Sequence, residues 1–169
     1  MSHLVGLDQF RNLAKFVPIN MNILPLPLSP SYGKFDFLWS TCSIEHVGSI
    51  ALGQRFVENA MTYLNNGGVA IHTVEFTISS NSYTVEDGPT VLWCKHDVER
   101  LVKDLEILGY DVYPIHWGAG SGTLDYTPDA PPFSKKHVKL VIGEFISTSF
   151  AIVVKKPDDF VDNIALLDI

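Results

Sequence analysis

The feature that most narrows what this chain can fold into is the alternation of strand-like and helical stretches between residues 35 and 155. Residues 35–40 (FDFLWS) are aromatic and largely apolar, and read as a buried strand. Residues 44–64 read as helical, because Ile50, Gly53, Phe56, Val57, Ala60, Met61 and Leu64 share a face at three- and four-residue spacing. Asn65-Asn66-Gly67-Gly68 then supplies the positive φ angles that stop a helix. Residues 69–76 (VAIHTVEF) are the next strand; their apolar start without clean alternation suggests a sheet covered on both faces. Residues 97–108 form the clearest helix, with Val98, Leu101, Val102, Leu105 and Leu108 as its stripe, Asp97 and Glu99 at its positive end and Gly109 as its stop. Strands follow over 110–116 and 147–155, while 77–88 and 118–136 read as loops. The order strand, helix, strand, helix, strand, loop, strand implies an α/β fold with a mostly parallel sheet.

Outside this core, Leu7, Phe10, Leu13, Ala14 and Phe16 suggest a short amphipathic helix over 7–16, followed by a short strand at 16–19. Pro18, Pro25, Pro27 and Pro30 then forbid any long regular element. Residues 32–34 read as a turn and 158–167 as a terminal helix. The expected organisation is one domain of 169 residues: an N-terminal helix and Pro-rich segment (1–34), an α/β core (35–156) and a tail (157–169). Twelve basic residues against nineteen acidic ones argue against generic nucleic-acid binding, and no apolar run is long enough to span a bilayer. Two cysteines and no secretory signal make a reduced, cytoplasmic protein the expectation.

Three stretches point further: Ile19-Asn20-Met21-Asn22-Ile23-Leu24-Pro25; residues 35–40 followed by Cys42-Ser43-Ile44-Glu45-His46-Val47-Gly48; and Leu64-Asn65-Asn66-Gly67-Gly68-Val69-Ala70-Ile71-His72. In this order and spacing they resemble class I S-adenosylmethionine-dependent methyltransferases. The resemblance implies a Rossmann-like sheet, truncated at its N-terminal side, mostly parallel with an antiparallel last strand. It implies S-adenosylmethionine as cofactor, with Asn20, Met21 and Asn22 bordering the adenine and Ser40, Thr41 and Cys42 beside the sulfonium. Glu45, His46, His72 and Glu75 would face the methyl acceptor, a small molecule or glycan. The family's glycine-rich cofactor loop and its ribose-binding acid have no counterpart, and Asn20 stands where Asp is common. A non-catalytic, methyltransferase-derived interaction module is therefore the competing expectation.

The residues themselves allow blander readings. Glu45 and His46 either serve proton transfer or merely start a helix. His72 is either their partner from the neighbouring strand or a buried, hydrogen-bonded histidine. Glu45, His46 and His72 make a poor metal site, and no metal is expected. Cys42 lacks a sequence-local group that would make it a nucleophile. Gly118-Ala119-Gly120-Ser121-Gly122 looks like a ligand-cradling loop, but Pro128, Pro131 and Pro132 exclude the helix such a loop must open. Lys135, Lys136, His137 and Lys139 read as a solvated basic cluster, and Trp39, Trp93 and Trp117 as core or loop anchors. With no first family strand beside it, 35–40 would be an apolar sheet edge without Lys or Pro. A homodimer is the expected cover, with an N-terminal partner chain or the chain's own residues 1–30 as the alternatives.

Overall fold

A computed structural model of the chain describes residues 33–118 and 120–161. The expected helix 7–16, the strand 16–19, Asn20, Met21, Asn22 and most of the expected terminal helix lie outside these residues. The elements are β1 (Phe35–Ser40), α1 (Ile50–Thr62), β2 (Leu64–Thr77), α2 (Lys95–Ile107), β3 (Asp111–Val112), β4 (Lys139–Ile142) and β5 (Phe145–Lys155). They form one sheet in the order β1-β2-β5-β3, with β4 also paired to β5. β1 and β2 run parallel, and β5 runs antiparallel to β2, β3 and β4. Four strands thus point one way and the last points against them. The methyltransferase sheet has the order 3-2-1-4-5-7-6, and this order matches its last four places. The fold is an open, mixed α/β, methyltransferase-like sheet.

The helices cover one face only among the described residues, which corrects the expectation of a sheet buried on both sides. Along β2, Ala70, His72, Val74 and Phe76 are buried, and Ile152 and Val154 of β5 continue that face. They pack with Phe56, Val57 and Met61 of α1 and Val98, Leu101 and Leu105 of α2. The alternate residues Val69, Ile71, Thr73 and Glu75 are only half-buried. Register places Trp39 beside Ile71 and Phe37 beside Val69 on this second face. Phe37 and Trp39 are about half exposed and their rings stack at 5.7 Å. Trp39 is therefore no core residue, whereas Trp93 is fully buried.

Several boundaries differ from the sequence reading, each for a local reason. The stretch 44–64 is not one helix. A 3-10 turn spans Ile44–His46; Gly48 then takes φ +114°, and extended Ser49 caps α1 by accepting from the Leu52 N–H at 3.2 Å. Leu64 opens β2 instead of closing the helix. Residues 65–68 form a bulge inside β2 and not a helix stop. Phe35 pairs with Leu64 and Phe37 with Val69, so five steps on β2 oppose two on β1. Gly67, at φ +80°, lets the bulge turn back and bond Lys156, while Asn65 donates to Asp36 at 2.7 Å.

α2 starts two residues early because Asp97 Oδ2 accepts from the Cys94 N–H at 3.0 Å, closing the first turn. β3 is cut to two residues: Tyr113 still donates to Val153 O at 2.9 Å, but Pro114 has no N–H to continue. The glycine-rich 118–122 stretch opens no α-helix, only a 3-10 turn over Thr123–Tyr126. β4 has no counterpart in the sequence reading; Gly143, at φ +61°, turns it into β5. Asp158 and Asp159 lie in a turn, so the described start of the expected terminal helix is not helical.

Candidate functional site

The carboxyl end of β1 carries the one strained backbone feature close to the expected site. Cys42 is a non-glycine residue at φ +44°, and its N–H reaches both the carbonyl (3.2 Å) and the hydroxyl (3.0 Å) of Thr73 on β2. This turn aims its Sγ at Thr73 Oγ1 (3.8 Å) and at Ser149 Oγ on β5 (3.9 Å). Beyond it, the 3-10 turn buries Glu45, which is 2% exposed, and its Oε2 has no hydrogen-bond partner. Burial pushes the Glu45 carboxyl up from its ordinary range, and the negative charge of Glu75 adds to the rise. Its own backbone N–H, His46 and the Cys42 thiol pull the other way. Glu75, half-buried on β2, accepts from the Ser147 hydroxyl of β5. The sheet thus gathers Cys42, Glu45 and Glu75 with three hydroxyls that sequence reasoning missed: Thr73, Ser147 and Ser149.

The other expected residues do not join this cluster. His72 shares the helix-covered face with Ala70 and Val74, is 1% exposed, and bonds Ser40 Oγ through Nδ1 at 2.8 Å. Its Nε2 has no partner, the Phe56 ring stands edge-on to it, and burial lowers its pKa to about 4. It is a neutral core histidine on the helix-covered face, not a group facing an acceptor as the resemblance implies. Ser40 is removed from the expected sulfonium side for the same reason, because its hydroxyl is spent inside the core. Thr41 remains exposed on the turn, its carbonyl accepting from Ser43 at 2.9 Å. His46 is exposed and turned away, toward the loop after β2. Its Nδ1 lies 2.9 Å from Pro89 O, a pure acceptor, so Nδ1 donates there and Nε2 is the ring nitrogen left for another partner. Thr90 Oγ1 stands 3.2 Å from the same nitrogen.

The basic cluster also dissolves. Lys139 is buried and donates to Asp125 O at 2.7 Å, and His137 pairs with buried Asp129 at 3.1 Å. Among the described residues there is no group of three or more His, Cys, Asp or Glu arranged to hold a metal ion. Among them, too, no helix is long and apolar enough to cross a membrane.

S-adenosylmethionine asks for a loop around its methionine end and acceptors for its ribose hydroxyls. The described residues supply only the exposed Thr41–Cys42 turn at the end of β1. They do not form a whole cofactor pocket.

No protein-family model and no curated protein matches the sequence. Among solved structures, the chain is similar to an O-methyltransferase family protein from Burkholderia thailandensis: TM-score 0.47, 10% identity, 86% of this chain and 36% of that one. It is also similar to a S-adenosylmethionine-dependent methyltransferase from Clostridium acetobutylicum ATCC 824: TM-score 0.42, 13% identity, 82% of this chain and 63% of that one. The chain spans less than two thirds of either neighbour's length. A likeness of this degree assigns no function, which has to be argued from the site.

Proposed function

We propose that the chain takes part in S-adenosylmethionine-dependent methyl transfer to a small molecule or glycan, supplying the acceptor side of the site. The cofactor side would be completed by residues beyond the described ones or by a second chain. The observation that carries this reading is the strained Cys42 turn. It sets a buried carboxyl with a free oxygen, Glu45, within electrostatic reach of Glu75 at the ligand-binding end of an α/β sheet. Positioning does most of the work in an in-line displacement. The carboxylates would orient a hydroxyl or amine and take its proton, and the rise at Glu45 moves that carboxyl toward the range a general base needs near neutral pH.

The test is an isothermal titration of the full chain with S-adenosylmethionine. Measurable heat supports the reading. No heat at millimolar cofactor removes it for this chain alone and leaves the interaction module, which the incomplete cofactor pocket favours. In a cofactor-competent preparation, Glu45→Gln is expected to lose about 10²–10⁴ in rate, the usual worth of a positioned base. His46→Ala tests whether the free Nε2 also matters: lost activity at an unchanged Tm assigns it a role, and a lowered Tm with activity kept assigns it to holding Pro89.

The apolar edge carries the assembly proposal. Among the described residues β1 pairs on its β2 side only, and Phe35, Phe37 and Trp39 are 38%, 48% and 57% exposed. A second copy meeting this edge across a two-fold axis would cover it. Light scattering is expected to show a dimer that Trp39→Lys dissociates. A stable monomer at micromolar concentration sinks the dimer and points to residues 1–30 as the cover.

A further inference from the structure

Among the described residues β5 pairs with β2 along one side, and its other, outer side is shared by β3 and β4. β3 takes its end, at Val154 and Lys155, and β4 takes its start, from Phe145 to Thr148. Between them, residues 149–152 have no strand partner on that side among the described residues. Tyr113 donates to Val153 O from this side, so alternation along the strand turns the N–H and C=O of Ala151 the same way. A cleft of about 470 Å³ opens there, with Ala151 and Val153 on its floor. That is the size of a small-molecule site.

One wall is aromatic and held in place. Trp117 stacks on Phe150 at 5.3 Å, Phe150 stacks on Phe76 at 4.8 Å, and Lys95 Nζ lies 5.3 Å from the Trp117 ring centre. Trp117 nevertheless stays 40% exposed. Asp125 lines the cleft with its carboxylate fixed by the Gly122 N–H at 2.8 Å. Ser149 lines it too, and the Ser149 hydroxyl is the group that lies 3.9 Å from Cys42 Sγ. Register sets Ser149 opposite Glu75 of β2, so Ser149 is shared between the cleft and the Cys42 and Glu75 side of the cluster.

We infer that this cleft binds a planar aromatic ring bearing a hydroxyl or amino group, which it presents to Glu75; as a statement about the methyl acceptor, this rests on the reading above. The ring lies on the small floor of Ala151 and against Trp117, where a flat π-face gains more than a saturated ring of equal size. The free peptide edge at Ala151 and the carboxylates of Asp125 and Glu75 select a substituent that donates hydrogen bonds.

The experiment is an isothermal titration of the full chain, without cofactor, using 2-naphthol and its saturated counterpart, decahydro-2-naphthol. The aromatic compound is expected to bind and the saturated one to bind at least tenfold more weakly. Ala151→Leu fills the floor from an exposed position and is expected to weaken 2-naphthol more than tenfold at an unchanged Tm. Trp117→Ala, which removes the wall, gives the same loss and serves where the leucine variant fails to fold. Equal binding of the two compounds, unaltered affinity in the variants, or no heat with 2-naphthol overturns the inference. Because cofactor is absent, naphthol binding with a failed cofactor titration removes methyl transfer and keeps the cleft. The reverse pair of results keeps methyl transfer and removes the ring.

Discussion

Acidification is expected to unfold this protein partly through one histidine. His72 has a folded pKa of about 4 against 6.5 when solvated, so between these values the unfolded chain binds more protons. The stabilisation from keeping His72 neutral is whole above pH 6.5 and is lost as pH falls through 4. A shift of this size is worth about 3 kcal/mol. Glu45 and Glu58 work in the opposite sense. Burial raises both carboxyls, so the folded state takes up their protons more readily than the unfolded one and gains on acidification. The informative quantity is therefore the difference between wild type and His72→Leu, which no longer titrates. In urea denaturation at a series of pH values, the variant should gain on the wild type by about 3 kcal/mol between pH 7 and pH 4. Parallel curves would mean that His72 is solvated, and would return it to the list of acid–base candidates.

The second large effect is expected at Gly53. A methyl group there would meet Trp93 Cζ2 at 2.7 Å and the Ile44 carbonyl at 3.1 Å. Helix propensity alone favours Gly53→Ala by about 1 kcal/mol. Overpacking of a rigid contact costs about 1–3 kcal/mol, and neither neighbour yields easily. Trp93 is wholly buried and stitched to β2 through its N–H to Glu75 O and its carbonyl from the Thr77 N–H. Thermal melts should show Gly53→Ala below the wild type and Gly53→Val lower still. A rise in Tm would show that α1 does not rest on Trp93. The same contact ties stability to the site, because displacing Trp93 pulls on Glu75 and displacing Ile44 moves Glu45.

What the sequence announced and what it hid can be told apart residue by residue. The strand 35–40 and the helix read at 97–108 were legible as elements because each has an apolar run of the right period and a marked end, although the strand, read as buried, exposes Phe35, Phe37 and Trp39. β4 was hidden in a short stretch whose Lys139 disguises a buried position. In β2 the alternation is blurred by apolar Val69 and Ile71 and becomes clear only at its end, where 74 and 76 are apolar and 73 and 75 polar; that parity puts His72 inside. Cys42, Glu45 and Glu75 could be suspected from their place after β1 and on β2. Thr73, Ser147 and Ser149 could not, since hydroxyls on a strand carry no spacing signal, and only the antiparallel register of β5 on β2 brings them there. The positive φ of Cys42 has no sequence signature either, because glycine or asparagine would be the usual occupant.

The position of β5 has a consequence for how the molecule comes into being. Among the described residues three of the four strand ladders run through it, and it is the last strand. β1, α1 and β2 can meet early as a local unit, but β3 and β4 have nothing to pair with until Phe145–Lys155 has been made. The partners it joins, Val69 to Thr77, were synthesised some eighty residues before. Such distant closure is slow. During translation the growing polypeptide carries half a sheet with β2 as an open edge, so nascent-chain protection should appear abruptly once residue 155 clears the ribosome. A nonsense change anywhere before Phe145 would leave no partly useful product.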